Sequence, residues 1–110
     1  MLESIFGNSS AEKALLHIYH YGEIHASAIA KDYELSITPI KSQLERFELG
    51  GILKSKLMGK TRVFSFNDKS PWMKPIHQIL EIAYNSIPLE ERQEIFNARR
   101  RPRRAGKPIL

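Results

Sequence analysis

Three residues, Glu34-Leu35-Ser36, separate two helical patterns, and no other feature constrains the fold as tightly. Before the link, "HASAIAKDY" places Ala26, Ile29, Ala30 and Tyr33 on one side. After it, Ser36 stands at an N-cap position, and Pro39 falls in the first turn, where its missing N–H leaves no hydrogen bond unmade. The helix so begun runs to about Leu49 and stops at Gly50-Gly51, with Ile40, Leu44 and Phe47 as its core stripe. Two short helices joined in this way form a helix-turn-helix arrangement.

A hairpin comes next along the chain. In "ILKSKLMGKTRVFSFN", Leu53, Ser55 and Leu57 alternate with Lys54, Lys56 and Met58, and a second alternating run includes Val63, Phe64 and Phe66. The pattern predicts antiparallel strands at about 52–58 and 62–67 with a basic tip of Lys60, Thr61 and Arg62. Gly59-Lys60-Thr61 is also the end of a phosphate-binding loop. That motif needs a glycine where Lys54 stands, and a helix, not a strand, after it. The stretch is therefore read as the turn of a hairpin.

The flanks add helices. Leu2, Ile5 and Phe6 form a short apolar face. "NSSAEKALLHIYHYG" has the Ser9–Glu12 spacing of a capping box, a stop at Gly22, and Ala11, Ala14, Leu15 and Ile18 on one side. Glu23 and Ile24 suit a short edge strand. Ser70 and Pro71 open a longer helix whose stripe is Trp72, Ile76, Ile79, Leu80 and Ala83. "SIPLEERQEIFNA" reads as a last helix with Leu89, Ile95 and Phe96 inward. The fold class expected is mainly α with a small antiparallel β-hairpin, in one domain of 110 residues.

Residues 10–67 resemble the winged helix-turn-helix core of bacterial and archaeal ArsR-like transcription regulators. The likeness rests on the capped helix from Ser36, on Leu44-Glu45-Arg46-Phe47-Glu48, on Gly51-Ile52-Leu53, and on the glycine-tipped wing. Residues 68–98 match more loosely. The resemblance implies sequence-specific binding of double-stranded DNA, with a recognition helix at about 37–49 in the major groove and a wing at 58–62 on the backbone or in the minor groove. It also implies a homodimer. The terminal helices that pair in the family correspond to Leu2, Ile5 and Phe6 in segment 1–9, and to Trp72, Ile76, Ile79, Leu80 and Ala83 in segment 68–98. The same stripe would alternatively close the chain's own core. One residue departs from the family. Glu34 stands where glycine is usual in the turn, and a left-handed backbone there costs roughly 1 kcal/mol relative to glycine.

Thr38, Ser42 and Gln43 suit base edges or phosphates, Lys41 and Arg46 suit phosphates, and Arg46 also suits guanine. Lys56, Lys60 and Arg62 bring cations to the wing, and Thr61 adds a hydroxyl suited to phosphate. Glu45 and Glu48 repel phosphate and are expected to point sideways or to bond Arg46 or Lys41. The net charge of +5 is concentrated at one end. Residues 99–110 contain Arg99, Arg100, Arg101, Arg103, Arg104 and Lys107 with no acid, which leaves 11 basic against 12 acidic residues in 1–98. Such a block, interrupted by Pro102, Gly106 and Pro108, is expected to be a disordered basic tail that meets DNA, an acidic partner or only solvent.

Other functions are weakly supported. Cysteine is absent, which excludes disulfides and thiolate metal sites. His17 and His20 are read as a surface or packed pair and not as metal ligands. No nucleophile–base arrangement, carboxylate pair or cofactor loop suggests an enzyme. No apolar run is long enough for a membrane span and the N-terminus lacks a secretory pattern, so a cytoplasmic location is expected. The sequence does not identify an effector. The alternative function is a winged helix that binds protein or RNA without an operator.

Overall fold

The computed structural model describes residues 1–98. The elements are α1 (Glu3–Phe6), α2 (Ser9–Tyr21), β1 (Glu23–His25), α3 (Ala26–Asp32), α4 (Ile37–Leu49), β2 (Leu53–Met58), β3 (Thr61–Phe66), α5 (Met73–Ser86) and α6 (Leu89–Ile95).

The hairpin is part of a three-stranded antiparallel sheet of order β1-β3-β2. β2 and β3 pair from Leu53↔Phe66 to Met58↔Thr61. β1 adds to the other edge of β3 through Glu23↔Ser65, Ile24↔Phe64 and His25↔Val63. The sheet therefore fixes the start of α3 beside the wing, because Ala26 follows β1 directly.

One core joins helices and sheet. α2 contributes Ala11, Ala14, Leu15 and Ile18, the side read from the sequence, and all are fully buried. Ile29 of α3, Ile40, Leu44 and Phe47 of α4, Leu53, Phe64 and Phe66 of the sheet, and Met73, Leu80 and Ala83 of α5 pack in the same cluster. Each large aliphatic side chain removed from water in this way contributes about 1.5–3 kcal/mol.

The link between α3 and α4 is a Schellman turn. Leu35 N–H donates to Ala30 O at 2.8 Å and Glu34 N–H to Lys31 O at 3.1 Å. Glu34 has φ +55, the left-handed conformation that glycine would occupy without a Cβ conflict. The end of α4 repeats the pattern. Ile52 N–H reaches Phe47 O at 2.9 Å and Gly51 N–H reaches Glu48 O at 3.0 Å, with Gly51 at φ +81.

Several cap and packing expectations are corrected. Asn8, not Ser9, caps α2, and its Oδ1 accepts from Ala11 N–H at 2.8 Å. Glu12 accepts instead from Leu2 N–H at 2.9 Å, tying α1 to α2. Ser36 occupies the N-cap of α4 in extended conformation without a side-chain cap bond. Helix α5 begins at Met73, because Ser70 and Pro71 form a turn in which Ser70 Oγ accepts from Trp72 N–H at 3.2 Å. Leu89, expected inward, is 61% exposed, whereas Phe96 is buried against α2 residues Tyr21 and His20.

Candidate nucleic-acid interface

Helix α4 has three sides with different surroundings. Ile40, Leu44 and Phe47 face the core. On one flank, Ile37, Lys41 and Glu45 border an open groove of about 520 Å³ whose other walls are Leu57, Lys60, Thr61, Arg62 and Phe64 of the hairpin and His25, Ala26 and Ser27 at the start of α3. Thr38 and Ser42 are exposed and lie next to Lys41 and Glu45 on the outward arc. The structure thus brings Lys41 to a single groove opposite Lys60, Thr61 and Arg62 of the wing tip, with Thr38 and Ser42 exposed on the adjoining arc of α4.

Arg46 and Gln43 lie on the other flank. Arg46 donates to Phe6 O at 2.7 Å and, through Nε, to Gln43 Oε1 at 2.9 Å. Its guanidinium carbon sits 4.6 Å from the centre of the Phe47 ring, and Phe6 meets that ring edge-on at 6.4 Å. The two residues therefore hold α1 against α4. Neither residue borders the groove shared with the wing.

Lys56 is also displaced from the expected site. Ser55 and Leu57 face α4, so strand alternation sends Lys56 to the other side of the sheet. There its ammonium pairs with Glu23 at 3.5 Å. Arg62 stays on the α4 side, where its Nη1 donates to Ser55 Oγ at 2.8 Å. Ser55 Oγ in turn donates to Glu48 of α4. Glu48 thus points sideways, as expected, but it bonds the wing and not Arg46 or Lys41. Glu45 also lies on a flank of α4 and does not bond Arg46, whose partners are Gln43 and Phe6. It opens into the groove.

Sequence reasoning did not place Ile37, Leu57, His25 or Ser27 at the groove. Ile37, 43% exposed, and Leu57 place apolar surface between the cations. Helical spacing carries a signal for Ile37, which lies one turn before Lys41. His25 and Ser27 carry none, because their place depends on the pairing of β1 with β3.

The proposed pairing surface divides in two. Leu2, Leu80 and Ala83 are buried in the chain's own core, which corrects their assignment to a partner contact. Phe6 is half-buried against Phe47, and Ile76 and Ile79 are half-buried. Ile5 at 58% and Trp72 at 64% remain exposed, as does Ile82 at 69%, which the apolar stripe read from the sequence did not include. The basic residues Arg99, Arg100, Arg101, Arg103 and Arg104 lie outside the described residues.

The histidines have separate partners. His17 is fully buried, with Nε2 at 2.9 Å from Asp32 Oδ2 and rings of Tyr21, Tyr33 and Phe96 around it. His20 Nδ1 lies 2.8 Å from the Tyr84 hydroxyl. Among the described residues, no group of three or more His, Cys, Asp or Glu side chains is placed to hold a metal ion. No helix among them is long and apolar enough to cross a membrane.

Comparison with protein-family models and with curated proteins gives no match. Solved structures do match. An AntR antimony-specific transcriptional repressor aligns with TM-score 0.62 at 18% identity over 84% of this chain and 78% of its own. A MarR-family transcriptional regulator from Silicibacter pomeroyi aligns with TM-score 0.54 at 12% identity over 87% and 70%. The transcriptional regulator BldR from Sulfolobus solfataricus gives 0.54 at 14% over 87% and 76%. These likenesses establish the winged-helix fold and extend across more than one kind of regulator, so they do not single out the ArsR-like type.

Proposed function

We propose that this chain is a sequence-specific DNA-binding transcriptional regulator of the ArsR-like winged helix-turn-helix kind, without catalytic activity, acting as a homodimer in the cytoplasm of a prokaryote. The observation that carries the reading is the shared groove: Lys41 and Glu45 of α4 and the basic wing tip border the same space. A helix fits the major groove, about 12 Å wide. With α4 seated there, Thr38, Lys41 and Ser42 meet bases and phosphates, and Lys60, Thr61 and Arg62 meet the adjoining backbone. Residues 10–67 are the DNA-binding unit.

The tail supplies the general attraction. Residues 1–98 are nearly neutral, so Arg99, Arg100, Arg101, Arg103 and Arg104 provide most of the positive field. Phosphate contacts of this kind raise affinity for all sequences alike.

A second copy covers the apolar arc of α5. Trp72, Ile79 and Ile82 continue the apolar side of that helix beyond the part that Leu80 and Ala83 bury. Pairing two copies through residues 68–98, with α1 alongside, presents two recognition helices to successive half-sites. Sedimentation of Trp72→Ser with Ile82→Glu checks this: the wild type runs as a dimer and the double variant as a monomer.

The deciding experiment is a mobility-shift and footprinting series on genomic fragments across salt concentrations. A protected site, a steep fall of affinity with salt, and loss of the site in Lys41→Glu with Lys60→Glu support the proposal. Removing residues 99–110 weakens binding to every fragment to a similar degree. A chain that protects no site and binds RNA or an acidic protein in preference would favour the interaction-module alternative.

A further inference from the structure

The groove holds one acid among its cations, and its neighbours explain why that acid is available. Lys41, Lys60 and Arg62 line the walls together with Glu45. The other carboxylates nearby are engaged elsewhere: Glu48 accepts from Ser55 and Glu23 pairs with Lys56. Glu45 is exposed and has no ion pair among the described residues. Its position on α4 is four residues after Lys41, a rise of about 6 Å, or roughly two base-pair steps along a groove.

A carboxylate at this place is selective because of what it cannot do. Ionised, it accepts hydrogen bonds and donates none. Facing phosphate it is repelled, so it weakens binding to DNA in general. The major groove offers it two donors, the amino groups of cytosine and adenine. Adenine sets the acceptor N7 beside its amino group, and N7 repels a carboxylate. Cytosine sets a C–H there. On the reading of α4 as the major-groove helix, we propose that Glu45 selects a cytosine at a fixed position of each half-site by accepting a hydrogen bond from its N4 amino group. Lys41 and the wing cations hold the backbone close enough for this contact, and the carboxylate penalises every base that lacks a suitable donor.

The test is selection of bound duplexes from a random pool by the full chain and by Glu45→Ala and Glu45→Gln. Glu45 is exposed, so neither change disturbs the core. The wild type is expected to recover sites with an invariant C·G pair at one position per half-site. Glu45→Ala loses that preference, with discrimination there falling by about 5- to 100-fold, while other positions persist. It also binds random duplex more tightly than the wild type. Glu45→Gln shifts the position towards adenine, which an amide recognises through N6 and N7. N4-methylcytosine at that position, whose methyl replaces the major-groove hydrogen, weakens the wild type about tenfold and leaves Glu45→Ala unaffected. If the wild type selects a site and both variants select the same site unchanged, the assignment of Glu45 is overturned and DNA binding stands. If the wild type retains no duplex even at low salt, the proposed function falls with it.

Discussion

The two Schellman turns at the ends of α3 and α4 make a matched pair within one chain. One places Glu34 in the left-handed position at φ +55, the other Gly51 at φ +81. An L-residue in that region is disfavoured by roughly 1–2 kcal/mol. Glycine also gains freedom in the unfolded chain, which offsets about 0.4–1 kcal/mol of the relief. Glu34→Gly is therefore expected to stabilise the fold by about 0.5–1 kcal/mol. For a domain of this size that raises Tm by about 2–6 °C. The reverse substitution, Gly51→Ala, should destabilise by a similar amount. A Cβ at Gly51 would meet nothing within 4 Å, so backbone conformation is the whole effect there. Calorimetry on Glu34→Gly, Glu34→Ala and Gly51→Ala decides the matter. Glu34→Ala removes the side chain but keeps the Cβ, and its Tm should stay close to the wild type. If Glu34→Gly were no more stable than Glu34→Ala, backbone strain would not be the property that distinguishes the turn.

Arg46→Ala should lower stability by about 1 kcal/mol in urea titration, because it removes the bonds to Phe6 and Gln43. Its affinity for a DNA site should fall less than that of Lys41→Ala. Lys60→Ala and Arg62→Ala should each flatten the plot of log affinity against log salt by about 0.9 if each cation neutralises one phosphate. Burial raises the Tyr33 phenol well above its ordinary value, with the charges of Glu12 and Asp32 adding in the same direction. A raised folded pKa means that the folded state holds its proton after the unfolded state has lost it. Stability from this group is thus complete below pH ~10 and declines as pH rises above it. Urea midpoints from pH 9 to 11 should fall less steeply in Tyr33→Phe than in the wild type.

Periodicity made the architecture legible. The three-residue link, the stripe Ile40–Leu44–Phe47 and the alternation from Leu53 to Phe66 all report local geometry, and the structure follows them. The same alternation already separated Lys56 from Leu57 and placed the lysine on the far side of the sheet. The charge of Lys56 and its nearness in sequence to the wing point the opposite way. Arg46 is different. Its place on the flank of α4 is readable from helical spacing, but its engagement depends on where α1 lies, and nothing local to residues 37–49 states that. Leu80 and Ala83 could not be divided from Trp72 and Ile79 by sequence, since one apolar arc serves both core and surface. The core covers only part of it.

The flanks of α4 bear on how the site would work. Towards the wing, Arg62, Ser55 and Glu48 form a chain of hydrogen bonds from β3 through β2 to α4. Towards the N-terminus, Arg46 joins α4 to the Phe6 carbonyl. Both attachments come from the C-terminal half of α4 and neither uses the outward arc. The helix is thus held from two sides, while Thr38, Lys41, Ser42 and Glu45 remain exposed. A reading surface fixed before it meets its ligand loses little conformational entropy on binding. Its contacts also discriminate between bases more sharply, since a misplaced partner cannot be accommodated by moving the helix. On the proposed reading of α4, Arg46 and Gln43 would serve the site by holding it still.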